Sequence, residues 1–207
     1  MEALAPSGSV LDVGCGAGAA SLVLAPPATF VIGVDTAADM LAAFAADAAV
    51  RSVPYELLEG RWPDVAPDVP IADVVVCHHV LYNVPDLVAF AAALTAHARR
   101  RVVVELTERH PLTELAPLWR RFHGLGRPAG PDAGLAVDAL VSAGIAVRQV
   151  AWERPRGRMP SDQRVALTRR RLCLTADRDA EIAAALSELG PPRPRRCRTL
   201  WWDGAAG

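Results

Sequence analysis

The run V-L-D-V-G-C-G-A-G-A-A, from Val10 to Ala20, holds the residues of this chain best spaced to do chemistry. Gly14, Gly16 and Gly18 recur at every second position. Glycine there admits positive φ and removes the Cβ atoms that would hold a bound molecule away from the main chain. One acid, Asp12, stands just before the glycines, and a second, Asp35, closes the next apolar run, V-I-G-V-D. In an open α/β sheet ligands bind outside the carboxyl ends of the strands, so both acids are expected at one crevice. Asp35 is placed to accept from both hydroxyls of a ribose, and Asp12 either to position the amides of the turn or to meet a ligand ammonium through water.

These residues need strands and helices to carry them. Apolar, β-branched runs predict strands at Val10–Val13, Phe30–Val34, Tyr55–Leu58, Ala72–Cys77 and Arg101–Leu106, with helices at Ala17–Leu24, Ala37–Ala48 and Asp86–Ala98 between them. Continuous apolar strands alternating with helices imply a parallel sheet buried on both faces. The stretch from Leu58 to Ala72 carries three prolines and reads as a loop or broken turn. After Leu106 an insertion over about 107–132 contains Leu115, Leu118, Trp119 and Phe122 at helical spacing, for which core packing is the reading. A helix over Ala133–Ala143 closed by Gly144, a sixth strand at Ile145–Trp152, helices at Ser161–Leu172 (capped by Ser161) and Asp177–Leu189, and a last strand at Arg196–Trp202 complete the expected order.

Composition narrows the classes. A chain of 207 residues, 52% hydrophobic, suits a single α/β domain over residues 1–207. A net charge of -1 gives no global electrostatic reason to bind nucleic acid or an anionic membrane. Cys15, Cys77, Cys173 and Cys197 form no C-x-x-C pair, against a zinc ribbon or redox dithiol, and no metal site is expected. Without a signal-like N-terminus or a membrane-length apolar run, the expected location is cytoplasmic. Abundant Ala, Arg and Pro with almost no Lys points to a GC-rich bacterial genome.

The glycine run followed by Asp35 resembles the first two signature regions of the class I S-adenosylmethionine-dependent methyltransferases, in their small-molecule group. The resemblance extends from Val10 to the last strand. It implies a doubly wound, mostly parallel α/β sheet of seven strands with a reversed last strand and helices on both faces. It also implies S-adenosylmethionine as cofactor, held by Asp12, Gly14, Cys15, Gly16, Gly18 and Asp35, with Thr36 and Met40 as further contacts. Where the family commonly has an acid that recognises adenine, this chain has Arg61 followed by Trp62; the Arg61 backbone can supply polar contacts, and the indole either stacks on adenine or packs under the proline-rich loop. The stretch C-H-H-V-L-Y-N resembles the segment beside the sulfonium, which puts Cys77 and His78 at the methionine end of the cofactor. His79 is then the candidate general base, because imidazole titrates in a range suited to proton transfer. Tyr82, Glu108 and His110, with Asn83 and Glu105 nearby, are candidates to contact a small-molecule acceptor. Trp152, Arg154, Arg156, Arg158 and Met159 read either as part of an acceptor pocket or as a solvated basic loop.

Two other readings stay open on these residues. A nicotinamide-binding oxidoreductase also has an acid after its second strand, but its fingerprint is G-x-G-x-x-G, and here Ala19 holds the third glycine's place. The lack of an N/D-P-P-Y/F motif after the fourth strand argues against methylation of a planar base or amide nitrogen. Relatives commonly carry helices ahead of the first strand that cover the cofactor. The resemblance therefore implies a truncated N-terminus and an open site, covered by the insertion, by a second copy in a homodimer or by a partner subunit; in the last case the chain is a catalytically silent cofactor-binding protein.

Overall fold

The structure is a computed structural model and describes residues 2–157 and 159–205. Its contacts divide the chain into two compact units: Met1–Leu106 with Ala133–Ala151 and Arg198–Gly207, and Thr107–Asp132 with Trp152–Cys197. The segment read as an insertion is thus one part of a unit that also takes in residues 152–197.

Seven strands form one sheet: β1 (Gly8–Val13), β2 (Ala28–Asp35), β3 (Tyr55–Glu59), β4 (Ala72–His78), β5 (Ala98–Thr107), β6 (Arg148–Arg154) and β7 (Arg195–Asp203), in the order β3-β2-β1-β4-β5-β7-β6. The pairs β1–β2, β1–β4, β2–β3 and β4–β5 are parallel. Against β5, Gly204 donates to Arg100 and Glu108 to Arg196, so numbers rise on one strand as they fall on the other and β7 is the reversed strand.

In the first unit, strand residues alternate between two buried clusters, as a pleated strand covered on both faces requires. Val10, Val31, Val74 and Val76 pack with Leu41, Phe44 and Ala48 of α1 (Ala38–Arg51). Leu11, Val13, Ile32, Val34 and Val75 face the other way, towards Phe90, Ala91 and Leu94 of α2 (Leu87–Ala96). Asp86 caps α2, its carboxylate accepting from Ala89 N at 2.9 Å. His97, at the end of α2, lies 2.9 Å from the carbonyl oxygens of both Ala93 and Ala66 and so ties the helix to the proline-rich connection. Its ring meets Trp62 edge-on at 4.9 Å. His97→Ala is expected to lower stability by about 1–3 kcal/mol, read as a lower urea midpoint at unchanged m-value.

The second unit has its own core. Leu118 of α3 (Ala116–His123) packs with Leu172, Ile182, Ala185 and Leu186 around α5 (Ser161–Arg171) and α6 (Asp179–Glu188). The Arg169–Asp179 ion pair (2.7 Å) ties α5 to α6, while Arg178–Glu181, also at 2.7 Å, spans only the first turn of α6. Trp119 stacks on His123 at 4.7 Å and carries the Arg127 guanidinium over its face.

Three expectations are corrected. The helix predicted at Ala17–Leu24 is a single 3₁₀ turn, Leu22–Leu24: Gly16 and Gly18 have positive φ, and Ala25, ahead of Pro26 and Pro27, is extended, so too few residues remain to propagate a helix. The sixth strand starts at Arg148 rather than Ile145, because Gly144 (φ 83°) and Ile145 are used to close α4 (Ala133–Ser142), with Ile145 N donating to Leu140 O. Ser161 is the first residue of α5; Pro160 occupies the cap. Among the described residues no helix is long and apolar enough to cross a membrane.

Candidate active site

Parallel strands end on one side of a sheet, and there the loops after β1, β2, β3 and β4 surround a cavity of about 740 Å³. That is within the usual range for small-molecule sites. Gly14, Asp35, Thr36, Arg61, Trp62, His78, His79 and Asn83 all line it, so eight of the residues singled out above converge. Asp64, Val80, Asp86 and Phe90 complete much of the wall.

The glycine turn is held by β2. Gly14 N and Cys15 N both donate to Val34 O, at 2.8 and 3.1 Å. Asp35 then uses one carboxylate oxygen for Gly16 N (2.8 Å) and the other for Ala37 N (3.0 Å), joining the turn to the start of α1. Each oxygen retains capacity for another donor.

The three glycines serve different neighbours. A Cβ on Gly14 would come within 2.3 Å of Val80, and one on Gly18 within 2.8 Å of both Leu22 and Phe44. Only at Gly16 would it meet nothing within 4 Å. The expectation that all three clear room for a ligand therefore narrows to Gly16; at Gly14 and Gly18 the space is filled by the protein itself.

Asp12 is buried, and its Oδ2 accepts from the Ser21 hydroxyl at 2.6 Å, while Oδ1 has no partner among the described residues. It does not position the amides of the turn, which Val34, Asp35 and Cys15 O satisfy. Burial raises its carboxyl to about 7, opposed by the Ser21 bond and aided by the nearby charge of Asp35. Folding then takes up a proton between the ordinary carboxyl range and pH 7, so this group's support is complete below about pH 4 and is lost as pH rises through 7. Asp12→Asn should remove that dependence: the melting temperature of the wild type relative to the variant is expected to fall steadily from pH 4 to pH 8, measured by calorimetry across that range.

Cys77 is fully buried and Cys15 nearly so, and burial raises both thiols far above their ordinary value, with Asp12 adding to it. Neither lines the cavity, and Cys77 belongs to the core rather than to a cofactor contact. Trp62 does line it but is only 6% exposed; packed against His97 and the proline-rich connection, it presents little ring face for stacking. Met40 is exposed on α1 away from the lining, and Tyr82 packs against the core beside it. Glu108 and His110 belong to the second unit, where His110 caps the turn Pro111–Leu115 by accepting from Leu112 N. Arg156 pairs with Glu114 in the same unit, and Arg158 lies outside the described residues.

Sequence reasoning missed Ser21, Val80 and Asp64. Ser21 is nine positions from the acid it binds, and no periodicity announces it.

Residues 10–101 match the family described as a methyltransferase domain. No protein of curated function matches in sequence. Among solved structures, the chain is similar to the YcgJ protein from Bacillus subtilis (18% identity, 97% of this chain and 93% of that one, TM-score 0.64). It is also similar to magnesium protoporphyrin IX methyltransferase from Synechocystis PCC 6803 with bound SAH (16% identity, 97% and 75%, TM-score 0.61). A third is precorrin 8w decarboxylase from Methanobacterium thermoautotrophicum (16% identity, 95% and 81%, TM-score 0.56). At such identities the structural likeness carries the fold alone. Residues 10–101 thus match a methyltransferase domain, and the whole chain has the seven-stranded fold of these solved structures.

Proposed function

We propose that the chain transfers a methyl group to a small-molecule acceptor, with the cavity at the ends of β1, β2 and β4 as its active site. The observation that carries this is the Asp35 carboxylate, which fastens the glycine turn to α1 while facing the cavity with acceptor capacity to spare. The residues fit the cofactor: Gly16 borders open space, and the buried Oδ1 of Asp12 lacks, among the described residues, the donor that a carboxylate requires. When bound, S-adenosylmethionine supplies a sulfonium whose methyl carbon is open to in-line attack.

The protein's share is placement and charge. Asp35 accepts from the ribose hydroxyls, Asp12, buried behind the cavity wall, meets the ammonium through water, and Thr36 and the Arg61 backbone contact the nucleoside. His79 is the general base. Holding an acceptor in line in a site that excludes water supplies much of the rate, so no catalytic triad is required.

Isothermal titration with S-adenosylmethionine and with S-adenosylhomocysteine tests the first half, and both are expected to bind in the micromolar range. Formation of S-adenosylhomocysteine over a panel of phenols, alcohols, amines and carboxylic acids tests the second. Failure of both nucleosides to bind overturns the reading. Tight binding without turnover on any acceptor favours the catalytically silent alternative.

A further inference from the structure

His79 follows β4 with φ 61°, a left-handed conformation uncommon outside glycine. Such a conformation persists where its surroundings over-determine it, and one residue does so here. Glu105, near the end of β5, accepts the His79 amide with its backbone oxygen at 2.7 Å, and its Oε1 lies 3.0 Å from His79 Nε2. The Glu105 side chain is 14% exposed and that of His79, which borders the cavity, 34%. The β4–β5 register sets His78 opposite Glu105, which brings His79 one residue past it within reach of the same carboxylate.

We infer that Glu105 positions His79, and that the two form a proton-accepting dyad for a hydroxyl acceptor, an inference that rests on the methyl-transfer reading above. An ionised carboxylate only accepts, so the contact at 3.0 Å is Nε2–H donating to Oε1, and Nδ1 carries the basic lone pair. A neutral amine attacks with its own lone pair and sheds its proton afterwards. A neutral hydroxyl gives an oxonium unless the proton leaves as the bond forms, so a fixed base serves a hydroxyl most. The step balances: the acceptor O–H proton passes to Nδ1, oxygen forms the new bond to the methyl carbon, the carbon–sulfur bond breaks, and its electron pair stays on the sulfur, which leaves as a neutral thioether. The resulting imidazolium faces the Glu105 carboxylate, and Glu105 itself touches no reacting atom.

Long-range ¹H–¹⁵N spectra of the full chain without ligand, at pH 9 where an ordinary imidazole is neutral, read the tautomer of His79 directly, assigned with His79→Gln. A single Nε2–H tautomer is expected in the wild type and in Glu105→Gln, which keeps an accepting oxygen, and a mixture in Glu105→Leu. An Nδ1–H or mixed tautomer in the wild type overturns the dyad, whatever the variants do. With hydroxyl probes (catechol, a simple phenol and a primary alcohol), kcat should fall about 10–100-fold in Glu105→Leu with S-adenosylmethionine affinity unchanged. Turnover of amines alone, or of no hydroxyl probe, overturns the acceptor class. Titration with S-adenosylmethionine stands apart from both readouts: absent binding with a locked tautomer sinks the methyl-transfer reading and leaves the positioning by Glu105 intact.

Discussion

Asp35→Ala is expected to weaken S-adenosylmethionine binding by about 10²–10⁴-fold. Hydrogen bonds to a charged acceptor contribute about 1.5–3 kcal/mol each, and two ribose hydroxyls on one carboxylate make about 3–6 kcal/mol, which converts to that range. The carboxylate also holds the amides of Gly16 and Ala37, so its loss frees the turn as well as the ligand contact. Stability of the ligand-free protein should suffer much less, because α1 is anchored through Leu41, Phe44 and Ala48 rather than through its first turn. The two effects separate in a thermal shift experiment. Ligand at one hundred times its Kd stabilises by about 2.7 kcal/mol, so the wild type should melt several degrees higher with S-adenosylmethionine, and Asp35→Ala should show no such rise at the same concentration. Affinity within threefold of wild type would mean that the carboxylate organises the loop without meeting the nucleoside.

The legibility of this molecule follows the range of each interaction. The strands could be read because β1, β2 and β4 are buried on both faces and therefore leave unbroken apolar runs, such as Val74–Cys77. Asp35 could be read because an acid ending a buried strand has few other uses. The turn after β1 shows where local signals conflict: alanines favour a helix over Ala17–Leu24, but Gly16, Gly18 and the pair Pro26–Pro27 leave room for one 3₁₀ turn. Contacts across long separations were not legible. Nothing near Gly14 in sequence announces Val80, nothing near Trp62 announces the edge of His97, and nothing near His79 announces that one residue of the neighbouring strand holds both its amide and its ring. Periodicity found the helix of residues 116–123, yet could not tell that its partners are Leu172 and Ile182 rather than the sheet.

Substitution of the three glycines by alanine separates folding from binding, because the space beside each is filled differently. At Gly18 the new methyl would press on both Leu22 and Phe44, with φ at 81°, and at Gly14 on Val80, with φ at 71°. Left-handed backbone costs alanine about 1–2 kcal/mol and overpacking about 1–3 kcal/mol. Phe44 is fully buried between α1 and the sheet and has little freedom to withdraw, whereas Val80 is partly exposed in a loop. Gly18→Ala is therefore expected to lose about 2–5 kcal/mol, and Gly14→Ala somewhat less. For a domain of this size that is a fall in melting temperature of about 5–15 °C for Gly18→Ala. At Gly16 only the backbone cost applies, since the added methyl meets no protein atom, and the loss should stay near 1–2 kcal/mol. That methyl instead enters the open ground beside the amide held by Asp35, so Gly16→Ala should fold and yet bind S-adenosylmethionine at least tenfold more weakly. Calorimetric melting of the three variants, paired with titration of each, checks the order. Equal destabilisation at Gly16 and Gly18 would show that φ alone sets the cost, and unimpaired binding by Gly16→Ala would move the ligand away from this turn.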